Sequence, residues 1–240
     1  MRHIPMHLDE FIMSRHEISR ANLALAHSAR GDDSLLNAIR HIPDREHTLT
    51  AEGIIRSAHI GRWLTRNGLV PFDHYYVSEY IRAQETKEHM AILGAQWIID
   101  GRLNERDWGK VGMLSLRDRN AQYPDWKQAK EAAPYDWHPD GGEPLRQHKD
   151  DFASWWREVN MRFPGKRIFC KCHGEKLLVG QAEIEGMSQE VFAVREKCLR
   201  LDNGCMVHYK KNRGGAVYKR FIDPHRDVCT EWRPLIMLAA

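Results

Sequence analysis

Strand-like and helix-like segments alternate along this chain of 240 residues, and the alternation limits the folds that it can adopt. Four short apolar runs predict strands at residues 10–14, 74–78, 96–99 and 167–172. Helical patterns are found at residues 19–29, 34–41, 79–93, 143–161, 174–185 and 189–199, and Thr50 is the predicted N-cap of a further helix. Residues 205–210 and 216–222 have the pattern of a hairpin. This order predicts an α/β layered fold.

The composition predicts one domain that spans residues 1–240. Hydrophobic residues make up 42% of the chain, which is enough to bury a core, and no linker or internal repeat divides it. Residues 27–47 predict a helical insertion. Residues 101–142 are irregular and predict a cap-like region or a site wall, because long loops within a domain usually carry function.

Cysteine content, charge and hydropathy restrict the function classes. No apolar run approaches the roughly 18 residues that cross a bilayer, so we expect no membrane partner. Five cysteines, without the spacing of a disulfide framework, predict a reduced and cytoplasmic location. The net charge of +3 suits an anionic substrate but does not by itself favour nucleic acid. Cys172-His173 has no second pair at zinc-site spacing, so we expect no metal.

Ionisable residues follow each of the four predicted strands. In chain order they are Arg15-His16, Arg82, Glu105 and His173, and Gly174 comes directly after His173. The carboxyl ends of parallel strands lie along one edge of a sheet, and neighbouring strands are only about 4.8 Å apart. We therefore expect two histidines and an arginine from distant parts of the chain to meet in one pocket.

These residue types suit phosphoryl transfer. A phosphomonoester is close to a dianion, and the planar guanidinium groups of Arg15 and Arg82 match phosphate oxygens. A histidine beside them can attack phosphorus or share the transferring charge. Glu105 can protonate the leaving oxygen if its surroundings favour the protonated carboxyl. The expected partner is a small phosphorylated substrate.

The same residues lie in motifs that resemble the histidine phosphatase superfamily, in its phosphoglycerate mutase-like branch. The resemblance covers most of the chain and keeps the family's order. The matching segments are residues 15–22 (RHEISRAN), 49–53 (LTAEG), 78–86 (SEYIRAQET), 102–109 (RLNERDWG), 141–145 (GGEPL) and 172–175 (CHGE).

The resemblance implies a three-layer α/β/α sandwich around a mostly parallel sheet, and a phosphohistidine mechanism with no metal or other cofactor. By this resemblance His16 is the nucleophile and Glu105 the proton donor. The groups implied to bind the phosphoryl group or substrate are those of Arg15, Ser19, Asn22, Arg82, His173 and Gly174. The resemblance specifies neither the substrate nor the oligomeric state.

One departure from the family keeps several functions open. Glycine usually follows the nucleophile, and here the residue is Glu17, which either points away, contacts a cationic substrate group or weakens the enzyme. The favoured function is a cofactor-independent phosphomonoesterase, because the span between Glu105 and His173 lacks the extra cap sequence of glycolytic mutases. The alternatives are a phosphoglycerate-type mutase and an inactive phosphate-binding or scaffold protein. Nucleic-acid binding through the basic hairpin ranks fourth.

Overall fold

A single mixed sheet forms the centre of the protein. The computed structural model describes residues 5–198 and 201–235. The strands in this part of the chain are β1 Glu10–Arg15, β2 His74–Val77, β3 Trp97–Ile99, β4 Arg167–Cys172, β5 Met206–Lys211, β6 Val217–Asp223, β7 Val228–Cys229 and β8 Arg233–Pro234. Their order across the sheet is β3-β2-β4-β1-β5-β6-β7, and β8 pairs with β6.

The strand pairing explains which loops meet at the edge of the sheet. Strands β3, β2, β4 and β1 are parallel, whereas β5 to β8 extend the sheet by antiparallel pairing. In the register of β1 and β4, Arg15 lies opposite Cys172. The next residue of each strand, His16 and His173, therefore leaves the sheet at the same level.

Helices pack on both sides of the sheet. The α-helices are α1 Arg20–Ser28, α2 Ser34–Ile39, α3 Ala51–Arg66, α4 Ile81–Met90, α5 Leu116–Gln122, α6 Trp126–Ala132, α7 Leu145–Arg162, α8 Gly174–Glu185 and α9 Gln189–Cys198. Short 3-10 helices occupy Asp44–Glu46, Gly101–Leu103 and Gly109–Val111. The predicted end of the last helix, residue 199, lies outside the described residues. No helix in the described ranges is long and apolar enough to cross a membrane.

Successive residues of β1 explain the three layers. Phe11 is buried in a cluster with Trp155 and Trp156 of α7, and Ile12 is buried in a second cluster with Ile60 and Trp63 of α3. Neighbouring side chains on a strand point to opposite faces, so the sheet is covered by helices on each face. The three-layer α/β/α fold with its mostly parallel central strands is confirmed.

The region predicted as irregular contains more helix than expected. Residues 101–142 include α5, α6 and two 3-10 helices. Ser115 caps α5 by accepting a hydrogen bond from the Asp118 amide at 3.0 Å. These helices have seven residues each and bury no side chain fully, so they lack the apolar periodicity by which a sequence reveals a helix.

The start of α3 fixes the turn that follows β1. Thr50 caps α3, as predicted, and its side chain accepts from the Gly53 amide at 3.0 Å. The Thr50 amide donates to the Ile18 carbonyl at 2.9 Å. A Cβ at Gly53 would lie 2.3 Å from that carbonyl oxygen, so only glycine lets α3 approach the turn so closely.

Candidate active site

The two histidines that end β1 and β4 face each other. The ring centroids of His16 and His173 are 5.0 Å apart. Both residues are buried, with 2% and 0% of their surface exposed. The pairing of Arg15 with Cys172 places them there, because each histidine is the next residue along its strand.

Hydrogen bonds fix the tautomer of His16. Its Nδ1 lies 2.6 Å from the Glu17 carbonyl oxygen, which can only accept, so Nδ1 carries the proton. The lone pair is then on Nε2, which accepts a hydrogen bond from Arg82 Nε at 3.2 Å. Burial, followed by the charges of Arg82 and Arg15, holds the pKa of His16 well below its ordinary value. His16 is therefore a neutral imidazole with a lone pair directed at Arg82.

His173 is oriented through Ser78. The Ser78 hydroxyl donates to Asn104 Oδ1 at 2.8 Å, which leaves the hydroxyl oxygen to accept from His173 Nε2 at 2.8 Å. The buried Nδ1 of His173 has no hydrogen-bond partner among the described residues. Burial, and then the neighbouring Arg82 and His16, hold the pKa of His173 well below its ordinary value. A bound anion could accept from Nδ1 once that atom takes up a proton.

Arg15 lies against the first turn of α8. Its Nη1 donates to the Leu201 carbonyl at 2.6 Å, and its buried Nε has no partner among the described residues. A Cβ at Gly174 would lie 3.4 Å from Arg15 Nε, in ordinary van der Waals contact with the guanidinium group. Gly174 begins α8, and the free amides of a helix N-terminus favour an anion.

Arg82 is held by a carboxylate that the sequence analysis did not identify. Its Nη1 donates to the Asp44 carbonyl at 2.6 Å and to Asp44 Oδ1 at 3.1 Å, and its Nη2 donates to Asp44 Oδ2 at 3.0 Å. The guanidinium also lies 4.7 Å from the centre of the Tyr80 ring. Asp44 belongs to the predicted insertion at residues 27–47, and no sequence signal separates it from the other acids there.

Glu105 lines the same cavity as His16, Arg15 and Arg82. Its Oε1 accepts from the Arg106 amide at 3.2 Å and lies 3.8 Å from Nε2 of His148. The side chain is 19% exposed. Glu105 is therefore half-enclosed, with one side in the cavity and one side against a buried histidine.

Ser19 and Asn22 form the N-terminus of α1. Ser19 is fully buried, and its Oγ accepts from the Asn22 amide at 3.2 Å, while Asn22 Oδ1 accepts from the Ser19 amide at the same distance. This is a capping box, and it accounts for Ser19. Asn22 lines the cavity. Asn203, which the sequence did not indicate, donates to Asn22 Oδ1 at 3.1 Å and to the His16 carbonyl at 3.0 Å.

Glu17 faces away from the cavity. Its fully buried carboxylate accepts from Arg56 Nε at 3.0 Å and from His225 Nε2. Burial alone would raise the pKa of Glu17, but the hydrogen bond from His225 and the charge of Arg56 bring it below its ordinary value. Of the three possibilities for Glu17, the structure has the first, a carboxylate that points away.

The cavity has a volume of about 620 Å³. Its lining also includes the basic residues Arg40, Arg45 and Lys110 and the acidic residues Asp44 and Asp107. In the described ranges, 5–198 and 201–235, no group of three His, Cys, Asp or Glu side chains is close enough to hold a metal ion. The polar groups of the cavity can bind an anion and present an imidazole lone pair to it.

The fold and the site define an α/β protein with a histidine and arginine pocket at the carboxyl edge of its parallel strands. Residues 37–224 match the model of the histidine phosphatase superfamily (branch 1), and the chain belongs to this family. The match begins beyond His16, so the placement of His16 rests on the geometry described above.

Relatives include a 2,3-bisphosphoglycerate-dependent phosphoglycerate mutase of Azorhizobium caulinodans. It is 29% identical over 182 residues, which cover 73% of this chain and 86% of the mutase. A putative alpha-ribazole-5'-P phosphatase of Escherichia coli has a similar structure, with a TM-score of 0.68, 20% identity and coverage of 97% of this chain and 96% of that one. A mycobacterial glucosyl-3-phosphoglycerate phosphatase complexed with VO3 also has a TM-score of 0.68, with 15% identity and coverage of 89% and 97%.

Proposed function

We propose that this protein is a cofactor-independent phosphomonoesterase that works through a phosphohistidine on His16. The observation that carries the proposal is the tautomer of His16: its Nδ1 proton is held by the Glu17 carbonyl, so Nε2 has the lone pair. That lone pair lies beside the guanidinium of Arg82 and the ring of His173. A nucleophile, a cation and a second imidazole are thus within reach of one phosphoryl group.

In the first step Nε2 of His16 attacks phosphorus. The bond between phosphorus and the ester oxygen breaks, its electron pair stays on that oxygen, and Glu105 supplies the proton. Arg15, Arg82 and a protonated His173 neutralise the charge on the phosphoryl oxygens. Asn22 lines the cavity and Gly174 begins α8, which supports their assignment to binding of the same group or of the substrate beyond it.

In the second step water attacks phosphorus and the nitrogen–phosphorus bond breaks. Its electron pair returns to Nε2 of His16, and Glu105 takes the proton that water loses. Inorganic phosphate then leaves, and each residue is in its starting state.

A phosphoglycerate-type mutase is the second candidate, because the curated relatives of similar sequence are named as such mutases. It uses the same first step and returns the phosphoryl group to another hydroxyl instead of water. The third candidate, an inactive phosphate-binding or scaffold protein, was motivated by repulsion from Glu17. The contacts of Glu17 with Arg56 and His225 remove that motive.

The test is a phosphate-release screen over phosphomonoesters, with the wild-type chain and His16→Ala. We expect release by the wild type and a loss of at least about a thousandfold in His16→Ala. Acid-labile phosphate should be trapped on the wild type alone. His208→Gln is the matched control, because His208 is also buried but bonds Glu10 outside the cavity.

Two results would overturn the proposal. Full activity in His16→Ala would exclude the nucleophile. Rapid isomerisation of a monophosphate primed by a bisphosphate, with little free phosphate, would replace the phosphatase by the mutase.

A further inference from the structure

A buried histidine lies directly behind Glu105. His148, in the first turns of α7, is 1% exposed. Its Nδ1 lies 2.7 Å from Glu143 Oε1, and its Nε2 lies 3.8 Å from Glu105 Oε1. That Nε2 makes no hydrogen bond to any described residue. The imidazole therefore bridges two carboxyl groups. It is within hydrogen-bonding distance of Glu143 but not of Glu105.

The surroundings keep this imidazole neutral. Burial, followed by the charge of Lys176, holds the pKa of His148 well below its ordinary value. Lys176 Nζ also donates to the His148 carbonyl at 3.1 Å. A neutral imidazole has one N–H and one lone pair, so its two sides cannot both donate. The charged and titratable groups that face the pair of His148 and Glu105 are Arg15, Tyr80, Arg106, Glu143, His173, Glu175 and Lys176.

The bridge has two proton arrangements with the same total charge. In one, Nδ1–H donates to the Glu143 carboxylate, and the Nε2 lone pair faces a protonated Glu105. In the other, Glu105 has given its proton to Nε2, Nδ1 has given its proton to Glu143, and Glu105 is a carboxylate. Only the first arrangement has an acid ready to protonate a leaving group.

The two ends of the bridge lie in different places. Glu105 lines the cavity, whereas Glu143 and His148 do not. The side chains of Glu105 and Glu143 are 19% and 20% exposed. When Glu105 holds the proton on the cavity side, Glu143 is a carboxylate that is partly exposed to solvent outside the cavity. The buried ring of His148 lies between the two groups.

We propose that His148 is a positioning residue that keeps the proton of Glu105 in place for delivery to the leaving oxygen, with Glu143 fixing its tautomer. This inference rests on the proposed function, in which Glu105 is the proton donor. It adds a specific role for a residue that does not touch the substrate.

The test compares two leaving groups in His148→Gln. Phenyl phosphate releases a poor leaving group that needs a proton, whereas 4-nitrophenyl phosphate releases a good one that does not. For phenyl phosphate we expect kcat/KM to fall about tenfold. For 4-nitrophenyl phosphate we expect a change of less than about twofold.

Controls separate this role from a structural one. His208→Gln removes another buried histidine that bonds a glutamate at 2.7 Å, outside the cavity, and should leave the hydrolysis of both substrates unchanged. His148→Asn is a second variant in case His148→Gln fails to fold, which thermal unfolding would reveal. Equal losses on the two substrates would overturn the inference alone. A wild-type chain that hydrolyses neither ester would overturn the proposed function and this inference with it.

Discussion

Two carboxylates are close to His16, one through the chain and one through Arg82, and the two are held in opposite ways. Glu17, the next residue along the chain, is fully buried and bonded to Arg56 and His225. Asp44 is 39% exposed at its side chain and bonded to Arg82. The charge of Glu17 is thus neutralised by Arg56 and His225. Asp44 instead binds the guanidinium group of Arg82, which a phosphoryl group would use in the proposed mechanism.

The difference shows that a carboxylate close to an anion site does not necessarily repel the anion or compete with it. Glu17 follows the proposed nucleophile in sequence, yet its charge is neutralised by Arg56 and His225. Asp44 is distant in sequence and binds Arg82 through both oxygens, in the fork geometry that suits phosphate. Glu17 should therefore contribute to stability, and Asp44 should compete with the substrate.

The largest expected effect is on stability, in Glu17→Ala. Removal of the carboxylate leaves Arg56 and His225 without their shared partner in a largely buried cluster. Breaking such a cluster costs about 3 kcal/mol, which urea denaturation would measure as a lower free energy of unfolding. Phosphate release per folded molecule should stay near the wild-type value.

Glu52→Ala is the matched control for Glu17→Ala. Glu52 also contacts Arg56, at 3.7 Å, but its side chain is 67% exposed. We expect its removal to lower the free energy of unfolding by less than about 0.5 kcal/mol. A gain of activity in Glu17→Ala or Glu17→Gly would contradict the assignment, because it would mean that Glu17 repels the substrate.

The contrast also marks how far the sequence could predict the site. Strand ends and motif spacing placed His16 and His173 at one edge, because β1 and β4 are neighbours whose side-chain patterns are clear. The direction of Glu17 could not be predicted, since it depends on a histidine 208 positions away. The bond between Asp44 and Arg82 joins residues 38 positions apart across an insertion without a periodic pattern. Local patterns thus predicted the strands and the positions of the two histidines. Tertiary contacts determine which cations the carboxylates of Glu17 and Asp44 bind.

The next effect concerns the proton balance of anion binding. When an anion binds Arg82, the Asp44 carboxylate is displaced and stays charged, so no proton moves with it. His173 is neutral in the empty site, and it has to gain a proton before its Nδ1 can donate to the anion. Sulfate carries no proton near neutral pH, so its binding should take up one proton from the buffer. Because the pKa of His173 is lower in the empty site than in the complex, sulfate affinity should fall as pH rises between these two pKa values, by up to about tenfold per pH unit.

Calorimetry in buffers of different ionisation enthalpy would count the protons. The charged and titratable groups around His173 include Arg82, His16, Lys176 and His148, and His16 is the other candidate for the proton. His173→Asn separates the two, since it should abolish the uptake. Uptake that persists in His173→Asn, or sulfate affinity that does not depend on pH, would contradict the role given to His173.

The smallest expected effect is a gain of affinity in Asp44→Asn. An amide keeps the size of the side chain but removes the negative charge, so the guanidinium of Arg82 becomes easier to transfer to an anion. We expect sulfate to bind about fivefold more tightly, which corresponds to about 1 kcal/mol for a partly exposed ion pair. Asp107→Asn supplies the comparison, because Asp107 also lines the cavity but bonds the Gly109 amide and not Arg82. Equal gains in the two variants would mean that net charge alone is responsible, and weaker binding in Asp44→Asn would mean that Asp44 orients Arg82 for the anion instead of competing with it.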